Sequence, residues 1–240
     1  MNLAVDQGNT KTKAALFKGR ELVKLFADIE DERLTGLINE ISPDNCVIAT
    51  VRSKEPVRRE VIKPSVNLIH LTTETPVPIK NKYQSPSTLG MDRLASVIGS
   101  KYFKPGTPNL VIDCGTCITY DVVDAENQYL GGGISPGLSM RFKALNTFTA
   151  ALPLIEIEEN VALIGDTTKG SILSGVANGT VAEVAGIIAQ YRSLFPNLEV
   201  FLCGGDAHYF DRKLRGAIFV APELVLYGLN EILLYNVKNI

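Results

Sequence analysis

Histidine and cysteine are scarce in this chain of 240 residues, which contains two histidines and four cysteines. The cysteines, at positions 46, 114, 117 and 203, are too dispersed to predict a disulfide framework. Cys114 and Cys117 form a CxxC, a spacing found in zinc and redox sites, but the two histidines stand alone and supply no second pair of ligands. We therefore expect two small, half-buried side chains beside a glycine turn.

The chain also lacks an excess of positive charge, a long apolar run and the features of a signal peptide. Lysine and arginine number 24 against 26 acidic residues, so nucleic acid is not an expected partner. No stretch approaches the roughly 18 consecutive apolar residues of a membrane span. The opening MNLAVDQGNT has neither the basic stretch nor the apolar core of a secretory signal, and a reducing cytoplasm is the expected compartment.

Apolar residues make up 45% of the chain, which is enough to bury a substantial core without covalent cross-links. The sequence opens with three predicted strands and no intervening helix, which indicates a meander over residues 3–6, 13–17 and 21–26. The periodicity then predicts alternating helices and strands, in the order helix 31–41, strand 46–51, helix 55–62 and strand 67–71.

A polar segment interrupts this alternation. Residues 72–90 contain three prolines and many turn-forming residues, and they predict a loop whose length is typical of functional loops. A helix is predicted at 92–103, and KPGTPN at 104–109 ends it. We place a domain boundary there, which gives an N-terminal domain of residues 1–108 and a C-terminal domain of residues 109–240.

The pattern that opens the chain returns after this boundary. LAVDQGNT at 3–10 and LVIDCGT at 110–116 both place an apolar strand before an aspartate and a glycine turn. The repetition predicts duplicated halves that face one another across a cleft, although chance recurrence of a short strand before a turn is the alternative. The remaining predicted elements are a glycine loop at 131–137, helices at 138–150 and about 169–195, a strand at 199–203 and a closing helix at 223–235.

The long predicted helix carries more apolar positions than one face of a lone helix can hide. Burial against a partner subunit would account for this composition. A fully covered helix in the protein core would account for it equally well.

The two aspartate–glycine turns carry the first candidate chemistry. Gly8 permits a tight turn while Asn9 and Thr10 offer donors, so backbone N–H groups can point at an anionic ligand. An ordinary hairpin connection has a similar sequence, but the second copy favours a pair of phosphate-binding loops. Phosphoryl transfer depends on positioning and charge neutralisation, and Asp6 and Asp113 are the oxygen ligands that a cation such as Mg²⁺ would need.

The sequence GMDR, Gly90–Arg93, lies where the long loop enters a helix. Asp92 at a helix start is most simply an N-cap. A kinase acting on an alcohol, however, needs a carboxylate near the hydroxyl, and an anionic substrate needs an arginine. Asp92 and Arg93 would supply both.

Taken in order, these motifs resemble those of type III pantothenate kinases, members of the acetate and sugar kinase, heat-shock 70 and actin superfamily. The resemblance covers nearly the whole chain, through DQGNTK, Tyr83 with GMDRLA, DCGTCITYD, GGGISPGL, TAALP, GDTTKGSILSG, CGGDA and PELVLYGL. Cysteines in DCGTCIT and at Cys203 depart from the family pattern, which bears on the adenine pocket and on sensitivity to thiol reagents. The implied fold is α/β, with two RNase H-like (actin-like ATPase) domains, mixed sheets flanked by helices, and an ATP cleft between the domains.

The resemblance also implies roles for single residues. Asp92 looks like the catalytic base that takes or orients the proton of the pantothenate hydroxyl. The substrate pocket would comprise Tyr83, Gly90, Met91, Asp92, Arg93 and, from the neighbouring subunit, Thr168. The ATP-binding residues would be Asp6, Gln7, Gly8, Asn9, Thr10, Lys11, Thr12, Lys13 and Thr116. Asp113 matches a ligand of a monovalent cation, K⁺ or NH₄⁺, and Asp6 is a candidate ligand of Mg²⁺.

The implied reaction transfers the γ-phosphoryl group of ATP to pantothenate, giving 4′-phosphopantothenate and ADP at the start of coenzyme A synthesis. Arg93 would pair with the substrate carboxylate or with the transferring phosphoryl group. A homodimer is expected, because a pocket that borrows Thr168 is incomplete in one subunit. The alternatives are a kinase of another small alcohol or acid, which GMDR with Tyr83 disfavours, and a non-catalytic nucleotide-binding regulator, which the carboxylate of Asp92 disfavours.

Overall fold

The structure, a computed structural model, describes residues 1–8, 10–50 and 57–237. Packing divides the chain into two units that are each discontinuous in sequence. The first unit comprises Met1–Gly106, Val122–Gly131 and Glu223–Ile240, and the second comprises Thr107–Asp121 and Gly132–Pro222. The domain limits 1–108 and 109–240 stay a prediction. By packing, two segments from the C-terminal half belong with the first unit.

The helices and strands of the described residues are, in chain order, β1 (Asn2–Gln7), β2 (Thr12–Lys18), β3 (Glu21–Phe26), α1 (Asp31–Ile41), β4 (Asn45–Thr50), β5 (Asn67–His70), β6 (Lys80–Asn81), α2 (Met91–Phe103), β7 (Asn109–Cys114), β8 (Cys117–Val123), β9 (Gln128–Pro136), α3 (Leu138–Thr147), α4 (Thr168–Leu173), α5 (Gly179–Leu194), β10 (Glu199–Cys203), α6 (Ala207–Asp211), β11 (Phe219–Val220) and α7 (Leu224–Val237). Short 3₁₀ turns at Arg59–Val61 and Pro86–Thr88 and a π-helical segment at Ser174–Asn178 complete the set.

The first unit is built on a mixed sheet of five strands in the order β3-β2-β1-β4-β5. Strands β1, β2 and β3 form the predicted antiparallel meander, and β4 and β5 run parallel to β1 on its other side. Alternate β1 residues, among them Leu3 and Val5, pack into a core with Leu34 and Ile38 of α1. This alternation directs neighbouring residues of β1 to opposite faces of the sheet.

The second sheet has the order β11-β10-β7-β8-β9-β6. Strands β10 and β11 run parallel to β7, and β7 joins β8 through a turn of only Gly115 and Thr116, which antiparallel neighbours permit. Read from β9, the order β9-β8-β7-β10-β11 therefore repeats the order β3-β2-β1-β4-β5 of the first sheet. The predicted duplication of the chain is confirmed in its topology.

A ladder of asparagine amides fixes the register of the first sheet. Asn2, Asn45 and Asn67 stand opposite one another at the amino ends of β1, β4 and β5. The side-chain amide of Asn67 donates to Asn45 at 3.2 Å, and that of Asn45 donates to Asn2 at 3.0 Å. Asn2 donates to Asn230 of α7 at 3.1 Å, and Asn230 donates to the carbonyl of Gly19 at 2.9 Å. The ladder ties α7 to the first sheet through satisfied polar groups.

Helices α2 and α7 pack with their backbones in contact. A Cβ atom at Gly99 of α2 would overlap the carbonyl oxygen of Leu224, and one at Gly228 of α7 would overlap that of Ala95. An approach this close requires glycine on both helices. The closing helix predicted at 223–235 is confirmed, and its place in the first unit depends on this contact.

The predicted glycine loop at 131–137 is wrong, because Gly131–Pro136 form the second half of β9. A Cβ atom at Gly132 would overlap the backbone of Tyr120, and one at Gly133 would lie 3.5 Å from its Cδ2 atom. The glycines therefore mark a close approach between neighbouring segments rather than a turn.

The helix predicted at 55–62 is also not borne out. Residues 51–56 lie outside the described residues, and from Val57 onward the chain forms only the 3₁₀ turn Arg59–Val61. The guanidinium of Arg59 donates to the carbonyls of Pro64 and Val66, which holds this segment in a folded loop. The predicted loop at 72–90 is confirmed except for the short strand β6, which pairs with β9, and one 3₁₀ turn.

The predicted long helix is a continuous helical run, Thr168–Leu194, in which the π-helical segment joins α4 to α5. Val176, Val184 and Ile188 on one face are buried, so the core interpretation accounts for part of its apolar surface. The run, with a mean hydropathy of 1.5 over its most apolar window, is long enough to cross a membrane. Length and composition are weak indications here, because core helices of many proteins share them.

The contact between α2 and α7 gives a stability prediction. Gly228→Ala should destabilise the fold by about 1–3 kcal/mol through overlap with Ala95, although alanine is the better helix former by about 1 kcal/mol. Gly36→Ala in α1 is the matched control, because a Cβ atom there meets nothing within 4 Å and should stabilise the fold. Urea denaturation of both variants measures the difference. Equal stability of the two would contradict the close approach of the helices.

Candidate active site

The first aspartate–glycine turn joins β1 to β2. Gly8 N–H donates to the carbonyl of Lys11 at 3.1 Å, and Asp6 faces Lys13 across the strand pair. Asn9, a predicted ATP-binding residue, lies outside the described residues. Thr10 is exposed beside the turn. The chain forms the predicted tight turn, and its binding of a phosphate stays a prediction.

Gln7, the last residue of β1, has a fully buried side chain on the core face of the sheet. Neither its amide nitrogen nor its amide oxygen bonds to any described residue. A buried amide without partners costs about 1–3 kcal/mol, so proteins normally provide it with water or another polar group. The unbonded Gln7 amide beside the turn fits a position where a bound ligand or water supplies the missing hydrogen bonds.

Lys11 and Thr12 are directed toward carboxylates. The Lys11 ammonium lies 2.7 Å from Asp28, and both side chains are more than half exposed. The Thr12 hydroxyl lies 3.3 Å from Asp31 at the start of α1. These contacts line a small acidic cavity of about 430 Å³. A role for Lys11 and Thr12 in ATP binding stays a prediction.

The second turn, between β7 and β8, is built in the same way. Gly115 N–H donates to the carbonyl of Cys117 at 3.0 Å, and Gly137 N–H donates to that of Thr116 at 3.0 Å. Asp206 N–H donates to the carbonyl of Cys114 at 2.9 Å. Thr116 is exposed at the tip of this turn. The hydrogen bonds from Gly137 and Asp206 hold the turn in place.

The Asp113 side chain lies next to the backbone of Gly204, where no side chain intervenes. A Cβ atom on Gly204, which has φ of 85°, would overlap both the Asp113 carboxylate and the carbonyl oxygen of Cys114. Oxygen atoms so arranged suit a hard cation. Among the described residues, no three histidine, cysteine or acidic side chains form a group able to hold a metal ion. A cation here would therefore complete its coordination with water or phosphate oxygens, as Mg²⁺ usually does.

The cysteines near this turn are not poised for reaction. Burial raises the pKa of the Cys203 thiol, and the neighbouring Asp113 carboxylate raises it further. Burial likewise raises the pKa of Cys114, so both thiols stay protonated, the less reactive form. Burial also raises the pKa of Asp206. Of the two CxxC side chains predicted to be half-buried, Cys117 is half-buried, whereas the prediction is wrong for Cys114, which is fully buried in β7.

The GMDR sequence begins α2, in the first unit. Gly90 is the N-cap and Met91 starts the helix, so the N-cap interpretation of Asp92 is wrong. The Asp92 carboxylate instead accepts the backbone N–H of Arg93 at 2.8 Å and is partly exposed. The carboxylate is thus held at the amino end of a helix, where the helix dipole favours negative charge.

Tyr83 and Arg93 lie together. The Arg93 guanidinium is centred 5.8 Å from the ring of Tyr83, and the Arg93 residue is only 8% exposed. Tyr83 packs 6.0 Å from the ring of Tyr129, and its N–H donates to the side chain of Asn81. The first unit therefore brings Tyr83 and the four GMDR residues together, as the sequence predicts.

Thr168 lies in the second unit, at the first position of α4. The hydroxyl of Thr167 caps the helix by accepting Gly170 N–H at 3.0 Å, which leaves Thr168 exposed. Thr168 lines an open cavity of about 1160 Å³ whose walls are largely apolar, among them Leu145, Phe148, Ile172 and Val176.

Sequence reasoning missed Arg141, which lines the same cavity and is ion-paired with Glu183 of α5 at 2.6 Å. One signal was available, because Glu183 is the only acidic residue between positions 168 and 195. An isolated acid on an apolar helix predicts a buried or half-buried partner.

A family model described as type III pantothenate kinase matches residues 2–190 of the chain. A type III pantothenate kinase of Phocaeicola vulgatus is 44% identical over 241 residues, covering 99% of this chain and 100% of that protein. One of Flavobacterium johnsoniae is 40% identical over 244 residues and is covered along its full length.

Solved structures also resemble the fold. A Campylobacter jejuni protein described as a Baf family transcriptional activator superposes with a TM-score of 0.66 at 21% identity, covering 98% of this chain and 99% of that one. A Sinorhizobium meliloti protein described as a 2-dehydro-3-deoxygalactonokinase gives 0.59 at 14% identity, covering 97% and 98%. Identities this low establish only that the fold is shared, and this fold is the predicted α/β type with mixed sheets flanked by helices. The sequence matches establish more: the chain belongs to the type III pantothenate kinase family.

Proposed function

We propose that this chain transfers the γ-phosphoryl group of ATP to the primary hydroxyl of pantothenate, giving 4′-phosphopantothenate and ADP, the first step of coenzyme A biosynthesis. Membership of the family makes the chain an ATP-dependent kinase. The observation that carries the proposal is the family match over residues 2–190, which spans every residue with a proposed role.

The two aspartate–glycine turns are proposed to bind the triphosphate of one ATP molecule. Each turn follows a strand with a parallel neighbour, β4 beside β1 and β10 beside β7. Backbone N–H groups of the two turns, other than those of Gly8 and Gly115 that bond within the turns, would contact phosphate oxygens, with Asn9, Thr10 and Lys13 at the first turn.

Two cations complete the proposed site. Asp6 would be a ligand of Mg²⁺, which neutralises charge on the β- and γ-phosphates when bound. Asp113 would hold a monovalent cation, K⁺ or NH₄⁺, and its position against the bare backbone of Gly204 supports this role. Carboxylate and carbonyl oxygens are the donors that both ions prefer.

Asp92 is proposed as the catalytic base. Phosphoryl transfer passes through a loose transition state, so the base need only orient the hydroxyl and accept its proton late. The bond from Arg93 N–H fixes one Asp92 oxygen at 2.8 Å, which leaves the other to face the substrate hydroxyl. Arg93, held against Tyr83, would bind the substrate carboxylate or the transferring phosphoryl group.

A homodimer is proposed, in which Thr168 completes the pantothenate pocket of the neighbouring subunit. Large apolar side chains near Thr168 support an interface, since Phe148, Leu163 and Ile164 are 86%, 80% and 85% exposed. The cytoplasm is the proposed compartment, because ATP is available there and its reducing environment keeps the cysteine thiols of the chain free.

Asp92→Asn should lower kcat by about 10²- to 10⁴-fold and leave ATP affinity unchanged, because asparagine keeps the bond to Arg93 N–H but cannot take a proton. Coupled ADP release measures turnover, and calorimetric titration measures ATP binding. Asp211→Asn, the same charge change on an exposed side chain with no proposed role, is the control. Near wild-type turnover by the Asp92 variant would remove this residue from the mechanism.

Thr168→Ala should raise the KM for pantothenate about two- to tenfold, the usual effect of one lost neutral hydrogen bond, with no change in the KM for ATP. Thr168→Ser keeps the hydroxyl and should behave like the wild type. Initial rates at varied pantothenate and varied ATP separate the two constants. An equal rise in both constants, or failure of serine to restore binding, would contradict the shared pocket.

A further inference from the structure

A network of polar side chains holds Arg141 at the cavity that Thr168 lines. Its Nη2 atom donates to Glu183 at 2.6 Å and to the hydroxyl of Ser135 at 2.7 Å, and its Nε donates to the carbonyl of Pro136 at 2.8 Å. The hydroxyl of Tyr120 donates to the other oxygen of Glu183 at 3.0 Å. All these groups belong to the second unit.

The surroundings of Glu183 favour its ionised form. Burial alone would raise the pKa of Glu183, but hydrogen bonds from Ser135, Arg141 and Tyr120 outweigh it and keep the pKa below its usual value. Burial and the nearby Glu183 carboxylate raise the pKa of Tyr120, so it stays protonated and donates. An ionised carboxylate therefore fixes the guanidinium, with both side chains only about a quarter exposed.

One nitrogen of the fixed Arg141 guanidinium still has N–H donors that no described residue uses. Its Nη1 group makes no hydrogen bond to any described residue, while Nε and Nη2 are fully engaged. Arg141 is also the one cationic side chain among the described residues that line the cavity, whose one acidic lining residue is Asp166. An arginine held on one edge with its other donors free is suited to bind a carboxylate.

We propose that Arg141 is a further substrate-binding residue of this kinase and that its Nη1 group binds the carboxylate of pantothenate. The inference rests on the proposed function, in which Thr168 reaches the same substrate. Pantothenate carries an apolar dimethyl group and one carboxylate far from its reacting hydroxyl, which suits an apolar cavity with a single cation. Glu183 is then a positioning residue, and Arg93 is left to the transferring phosphoryl group.

The test compares pantothenate with pantothenol, in which an uncharged hydroxymethyl group replaces the carboxylate. In the wild type, pantothenol should have the higher KM. Arg141→Gln should raise the KM for pantothenate about ten- to a hundredfold, the usual effect of a lost charged hydrogen bond, and leave the KM for pantothenol nearly unchanged. The preference for pantothenate should therefore disappear. A preference that survives intact in this variant would overturn the proposal.

Glu183→Gln provides a second route, because it keeps the shape and the Tyr120 contact but removes the charge that fixes Arg141. It should reduce the preference for pantothenate without changing the KM for ATP, even if Arg141→Gln folds poorly. Arg212→Gln, which removes an exposed arginine–glutamate pair of the same unit, is the control and should leave the preference intact. An unchanged preference in Glu183→Gln would overturn the positioning role. A wild type that phosphorylates neither compound would instead refute the proposed function.

Discussion

The proposed ATP site requires an aspartate near the end of a strand to lie beside backbone that no side chain covers. Asp113 meets this constraint, because a Cβ atom on Gly204 would overlap its carboxylate and the nearby carbonyl of Cys114. Asp6 is the second-last residue of β1, as Asp113 is of β7, and the strand order around it is the same. Two strands with one chemistry at their ends are what a kinase needs to neutralise a triphosphate.

Much of this architecture could be predicted because it depends on local patterns. The meander, α1 and β10 follow from apolar periodicity, and the duplicated turns follow from two short matching sequences. The prediction at 131–137 was wrong because glycine is typical both of turns and of positions where two backbones approach closely. Only the position of Tyr120 in the folded chain distinguishes the two cases. The pair of Arg141 and Glu183 joins residues 42 positions apart, which no local pattern reveals.

The second unit combines a cavity lined by apolar, hydroxyl and charged side chains with a small polar network, and this combination suits a small amphipathic substrate. Glu183 is tolerated on its apolar helix because three neighbours satisfy it. Membership of the type III pantothenate kinase family fits this chemistry, and the fold alone would not have distinguished it from other kinases.

We propose that both turns bind one triphosphate, with Asp92 at the hydroxyl of pantothenate. A crystal structure of the protein with a non-hydrolysable ATP analogue and pantothenate would test this arrangement. Hydrogen bonds from backbone N–H groups of both turns to the same triphosphate are expected, with the pantothenate hydroxyl beside the Asp92 carboxylate. A triphosphate that contacts only one turn, or a substrate hydroxyl far from Asp92, would contradict it.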